Sequence, residues 1–349
     1  MKRISIFFSI FFSLIYFSSI YPWGEKGHAL IAKESFKALH YEMIDFIHYA
    51  DIVISKSSDP DKRRPYTPGE APKHFIDIDF YNEFIEARMI TDIDSLKKVY
   101  GDSIVVEMGI LPWATLQTYY KLVESFKLQN PDSIIYYAAD LSHYVADGFQ
   151  PMHATINYDG QLSNQKGIHS RYETIMFNKH LSEIQRVISP RYAKRIENIQ
   201  SFIFDYIYAS SFYSSLVFEA DSIAKNISQK QQVRVKTKNS FSIFVTLLFS
   251  ELTKGAYPLT NFFLPIKSTL FYLIEITSNS EKLETQIIYD DKYYELLWFR
   301  TKDMTISRAE KAAEAIASLY YTAWIEAGKP KIPKFNEPNY YSNDNNISH

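Results

Sequence analysis

The residues best suited to chemistry in this 349-residue chain are histidines standing at fixed distances from acids. His143 precedes Asp147 by four positions, and His169 precedes Glu173 by four. On a helix that spacing puts both side chains on one face, close enough to share a metal ion. His153 follows Asp147 by six positions across Gly148 and Pro151, so a turn can swing it back toward the same centre. Upstream, His74 lies in Lys73-His74-Phe75-Ile76-Asp77, after an acidic stretch with Asp59 and Asp61, and His28 lies five residues after Trp23. One His-x-x-x-Asp pair would be unremarkable on a solvated helix. Two such pairs flanking a further histidine point to metal binding. Imidazole and carboxylate donors without thiolates suit zinc in a catalytic role. His40, His48, His180 and His349 lack acids at such spacing and read as structural or solvent residues.

Composition narrows the alternatives. The chain has no cysteine, which excludes disulfides, thiolate zinc fingers, iron–sulfur clusters and cysteine nucleophiles. Neither a Gly-x-Ser-x-Gly elbow nor a Gly-x-x-x-x-Gly-Lys loop is present. Lys and Arg number 38 against 40 Asp and Glu, so no overall positive field is available to hold a polyanion. Hydrophobic residues at 46% and charged ones at 22% are those of a globular protein, and aromatics at 16% supply a large core.

Helices must position these side chains. Leu39, Met43, Phe46 and Ile47 recur at helical spacing within Gly27 to Ala50, as do Leu116, Tyr120, Val123 and Phe126. A third run takes in Ile134, Ile135, Ala138, Leu141 and Val145, with Pro131-Asp132 as its start and Asp132 as cap. Ser307 and Glu310 have the spacing of a capping box opening a last helix that stops at Gly328 and Pro330. Few stretches alternate over strand length, so the sequence predicts an all-α fold. Phe241 to Leu252 and Ala256 to Ile276 are apolar but broken by charges, and read as buried helices; contact with a membrane surface is the alternative. At the N-terminus Lys2 and Arg3 precede an apolar run from Ile4 to Tyr21, the pattern of an export signal over residues 1–22. An uncleaved anchor is the competing reading, since Ile20, Tyr21 and Pro22 stand where small residues would mark a cut. Residues 329–349, with several Pro and Asn, read as a loose tail.

The ordered motifs support a resemblance. Leu141-Ser142-His143-Tyr144-Val145-Ala146-Asp147, Gln150-Pro151-Met152-His153-Ala154 and Gly167-Ile168-His169-Ser170-Arg171-Tyr172-Glu173 closely resemble the bacterial zinc-dependent phospholipase C family, which is related to the S1/P1 nucleases. Trp23-Gly24 with His28, and His74-Phe75, match two earlier motifs, and Tyr321-Thr322-Ala323-Trp324 is family-like. The resemblance implies one multi-helix domain over residues 23–328, within which 211–303 is atypical. It also implies three zinc ions. One would be held by an upstream Asp with His74, His143 and Asp147, and a second by His153, His169 and Glu173. A third would use the amine and carbonyl of an N-terminal Trp23 with His28 and a bridging Asp147. For the upstream acid, Asp59 follows Ser57-Ser58 and Asp61 precedes Lys62-Arg63-Arg64; Asp59 is the preferred ligand and proton acceptor.

What the resemblance implies about function is phosphodiester hydrolysis by zinc-activated water. The substrate would be a phospholipid headgroup, as for a phospholipase C, or single-stranded nucleic acid, as for the nucleases. Tyr66 and Phe75 are candidate walls for a choline-like cation, and Arg63 and Arg64 for steering phosphate. A zinc-containing binding protein without activity is a third class. The expected setting is periplasmic or secreted, with transient contact to a membrane surface and no obligate protein partner.

Overall fold

Pro at the first turn of a helix already has the required φ and gives up an amide with no helical acceptor. Two central helices begin this way. In the computed structural model, which describes residues 23–228, 230–237 and 282–334, the fold is mainly helical. Helix α1 spans Gly24–Lys37. The short α2 spans Asp59–Arg63, α3 Leu111–Lys127 with Pro112 in its first turn, and α4 Pro131–Phe149 with Pro131 there. Two long helices follow, α5 over Ile199–Ile227 and α6 over Asp291–Glu326. Residues 23–227 and 293–334 form a helical body. Strands β1, Lys230–Thr237, and β2, Lys282–Tyr289, form an antiparallel pair in a separate unit, with Val233 opposite Gln286. Among the described residues no helix is long and apolar enough to cross a membrane.

Several boundaries differ from the sequence reading. The cap of α4 is Asn130, whose side chain accepts from Ser133 N at 3.2 Å, while Asp132 lies in the first turn. The run from Gly27 to Ala50 breaks after Lys37 and continues as a 3-10 segment, Tyr41–Tyr49. The last helix does not start at Ser307, because it already spans Asp291–Glu326. Glu310 has a different task from capping. Its Oε1 accepts from Ser189 N at 2.9 Å, and Glu314, Ser318 and Thr322 accept in turn from Arg191, Lys194 and Ile196. Polar side chains every four residues on α6 thus satisfy an extended segment that has no ladder partner. The segment read as atypical, 211–303, begins inside α5 and ends inside α6. Residues 1–22, 335–349 and the apolar stretches 241–252 and 256–276 lie outside the described residues.

Helix α4 is buried nearly all round its last three turns, from Ala138 to Phe149. It packs against α3, α5 and α1. Close approach to α5 depends on Gly148, where a Cβ would stand 2.4 Å from the Tyr206 ring. Arg308 of α6 closes the C-terminal end, donating to Phe149 O at 3.0 Å and to Tyr206 O at 2.7 Å. A cation there also meets the negative end of the helix dipole.

Gly109 fixes the approach of another functional segment. Its φ is +88°, and a Cβ would lie 2.1 Å from the carbonyl oxygen of Phe75, the neighbour of His74. Gly109→Ala combines left-handed strain with a backbone clash. It is expected to cost about 3 kcal/mol or more, read as a lower Tm in thermal unfolding.

Candidate metal centre

Six local structures aim donors at one buried region, the short α2 among them through Asp61. Helix α4 presents His143 and Asp147 one turn apart, both fully buried. A 3-10 turn, Ala71–His74, brings His74, and another, Pro151–His153, brings His153 back beside Asp147. His169 sits in a single helical turn that widens into a π-helical one, Arg171–Met176, carrying Glu173. Such wide turns recur at functional sites. This one is pinned by Arg171, which donates to the Tyr293 hydroxyl at 2.8 Å and to Asp221 at 3.0 Å. From α1 comes His28, whose ring stacks on that of His143 at 4.0 Å.

The donor atoms form three groups, the first two sharing His143: His28 with His143 and Asp147, Asp61 with His74 and His143, and His153 with His169 and Glu173. Asp147 joins them. Its Oδ2 lies 3.1 Å from His74 Nδ1 and 3.2 Å from His143 Nε2, and its Oδ1 lies 3.4 Å from His28 Nε2 and 3.7 Å from His153 Nδ1. His143 Nε2 faces His74 Nδ1 at 3.0 Å, and His153 Nε2 faces His169 Nε2 at 3.1 Å. His169 Nε2 is 2.5 Å from Glu173 Oε2. Donors on a tetrahedral zinc at about 2.0–2.2 Å stand roughly 3.3–3.6 Å from one another, close to these separations.

Tautomers support the same use. Carbonyl oxygens accept from His143 Nδ1 (Ser57, 2.8 Å) and from His153 Nδ1 (His74, 2.6 Å). A carbonyl can only accept, so each Nδ1 carries a proton, and Nε2 is the atom left to ligate a cation. Among the described residues, both Asp61 oxygens, both His28 nitrogens, Asp147 Oδ1 and Glu173 Oε2 are buried without a hydrogen bond. Buried polar atoms normally find partners. A cluster of orphaned oxygens and imidazole nitrogens is what cations would satisfy, and these residues could hold metal ions.

The protein's own charges set the proton balance. Burial pushes Asp61 well above the usual carboxylate range, Asp147 and Glu173 adding to it against His28 and Arg64. Burial acts on His153 in the opposite sense, but Glu173 and Asp147 outweigh it and raise the imidazole to about 9. Asp147 and Glu173 stay below the usual range despite burial, because His143 and His153 flank the first and His169 and His153 the second. Cations binding at neutral pH therefore displace a proton from His153, and the upward shift of Asp61 acts in the same direction.

The placement of Asp59 departs from the sequence reading. It is 37% exposed and pairs with Lys62 at 3.3 Å and Lys56 at 3.7 Å. Asp61 is buried, 3.4 Å from His74 Nδ1 and 3.7 Å from His143 Nε2. Residues two apart on a helix point to different sides, so only one of the two acids can face inward. The buried Ser57, which suggested Asp59, serves the site through its carbonyl instead. Trp23 is fully buried and its backbone N donates to Glu173 Oε1, with the indole nitrogen on Ala146 O at 2.8 Å.

The substrate candidates divide. Tyr66 is 81% exposed. Phe75 packs its backbone on Gly109 beside His74. Arg64 acts electrostatically on both Asp61 and Tyr158, whose ring stands 6.2 Å from that of His169. Arg63 is held within the protein: Asp140 takes it in two hydrogen bonds, at 2.9 and 2.6 Å, and Glu70 in a third at 3.1 Å. Glu70 and Asp140, absent from the ligand pattern of the motifs, precede His74 by four positions and His143 by three, spacings that share a helix face. No family model matches the chain, and neither does any curated protein.

The two acids separate in a zinc titration. Asp61→Asn is expected to weaken zinc binding at least tenfold, whereas Asp59→Asn leaves it unchanged. Wild-type affinity should fall as pH drops, by about tenfold per unit for each proton displaced. Equal affinities for the two variants would contradict the assignment.

Proposed function

We propose that the chain is a zinc-dependent phosphodiester hydrolase that acts on a phospholipid headgroup, in the manner of the bacterial zinc-dependent phospholipases C that its motifs resemble. One observation carries the reading: three groups of buried ligands meet at Asp147, whose two oxygens face histidines on different sides. Zinc ions would be held by Asp61, His74, His143 and Asp147, by His153, His169 and Glu173, and by His28 with Asp147 and Trp23. Bound zinc supplies Lewis acidity toward phosphoryl oxygens and brings the pKa of a coordinated water near neutrality.

The chain's own residues supply the rest. Asp61 is the proton acceptor for the attacking water. Its Oδ1 lies toward His74 and His143, and its Oδ2 has no hydrogen-bond partner among the described residues. Arg64 acts electrostatically on Asp61, and a phosphodiester oxygen bound at the cluster would gain from the same positive charge. His143 and His153 are oriented by the Ser57 and His74 carbonyls, so neither must reorganise during reaction. Two features favour a headgroup over a polynucleotide. The chain carries a net charge of −2, so it lacks the broad positive field that a polyanion needs. Arg63, which a nuclease would use on phosphate, is consumed by Asp140 and Glu70. Export to the periplasm or the medium fits the basic and apolar pattern of residues 1–22.

A phosphorus NMR time course on the zinc-loaded protein, with phosphatidylcholine micelles and single-stranded DNA together, tests the assignment. Phosphocholine is the expected product, and His143→Ala should slow its release by at least about 10²-fold. Nucleotides appearing in its place would make the chain a nuclease. Neither product, with zinc bound, would make it a binding protein.

A further inference from the structure

The two ring nitrogens of His74 face different surroundings. Nδ1 looks into the cluster, 3.1 Å from Asp147, 3.0 Å from His143 Nε2 and 3.4 Å from Asp61. Nε2 looks out of it and makes no hydrogen bond among the described residues; the acid it faces is Glu70, whose Oε1 at 3.7 Å acts on it by charge. Glu70 lies one turn before His74 in sequence, at the entry of the same 3-10 turn, and is itself only 1% exposed.

A buried carboxylate needs compensation, and Glu70 has three donors. Arg63 reaches Oε1 at 3.1 Å, the Tyr144 hydroxyl donates to the same oxygen, and Lys73 reaches Oε2 at 2.9 Å. Arg63 in turn holds Asp140 through both terminal guanidinium nitrogens. The network joins the elements that supply one ligand group: α2 gives Arg63 and Asp61, the 3-10 turn gives Glu70 and His74, and α4 gives Asp140, Tyr144 and His143. Two acids and two bases balance in charge. Each of the four sits within a few residues of a ligand.

We propose that Glu70 is a positioning residue for the metal centre, its carboxylate held by Arg63, Lys73 and Tyr144 so that it keeps the proton of His74 on Nε2 and leaves the Nδ1 lone pair to a cation. The inference rests on the metal-binding reading of the cluster. Carboxylates behind ligating histidines fix ring orientation and tautomer, and their loss typically costs 10–100-fold in metal affinity. It also explains why the basic run Lys62-Arg63-Arg64 splits in function. Arg63 builds the support behind His74, and Arg64 acts electrostatically on Asp61.

The test compares Glu70→Gln with Asp140→Asn in the full chain, by zinc titration, thermal unfolding and nitrogen-15 NMR of the imidazoles. Asp140→Asn disturbs the same buried network without touching His74. Glu70→Gln is expected to lower zinc affinity 10–100-fold and to spread His74 over both tautomers. Asp140→Asn should lower the Tm with at most a few-fold change in affinity. Tyr144→Phe, which removes one donor and keeps every charge, is expected to weaken binding about threefold and serves if Glu70→Gln does not fold. Zinc binding by Glu70→Gln or Tyr144→Phe as tight as wild type, with an unchanged His74 spectrum, would overturn the proposal and leave the metal reading standing. A wild-type chain that takes up no zinc would overturn both.

Discussion

Everything in the helical body is arranged around one carboxylate that has no access to water. Asp147 is fully buried, and each of its oxygens faces imidazole nitrogens at 3.1–3.7 Å. An isolated carboxylate in that place would be prohibitively costly, so the charge persists only through what surrounds it. Histidines alone would satisfy it when protonated. Yet two imidazoles have their Nδ1 protons committed to carbonyl oxygens on the far side, and their Nε2 atoms crowd other imidazole nitrogens at 3.0–3.1 Å. That conflict is resolved when cations share the space. The polar interior is thus a requirement on the scaffold as much as a product of it.

The scaffold meets this requirement with helices that can approach closely and hold still. Helix α4 carries Asp140, His143, Tyr144 and Asp147 within two turns, giving both donors to the cluster and part of the frame behind it. Gly148 lets α5 come near, and Arg308 fastens the end of α4. On the opposite side, the π-helical turn would drift without its ties from Arg171 to Asp221 and Tyr293. Long helices stabilise themselves cooperatively, but turns such as Ala71–His74 cannot. Those turns are held by side-chain networks, and it is there that the buried ion pairs concentrate.

Much of the site was legible in the sequence because helical spacing converts directly into facing side chains. His143 with Asp147, and His169 with Glu173, were readable at once. His153 required only a turn at Pro151. The choice between Asp59 and Asp61 was not readable, since it depends on how a five-residue helix is rotated by Pro60 and its neighbours. Glu70 and Asp140 carried a signal in their spacing to His74 and His143, but acids near basic residues usually mean a solvated surface. The mainly helical fold followed from apolar periodicity. Its boundaries did not: Glu310 looked like part of a capping box, and its real partner, the Ser189 amide, is more than a hundred positions away.

The account stands on the claim that these buried donors exist to hold metal ions. Elemental analysis of the intact protein, purified without chelators and normalised to chain concentration, tests it most directly. Metal retained at up to three ions per chain, one for each donor group, with zinc predominant, is the result expected. Substoichiometric metal that stays absent after equilibration with zinc, in a protein that remains folded, would contradict the account, because a stable fold would then be tolerating the cluster with protons alone.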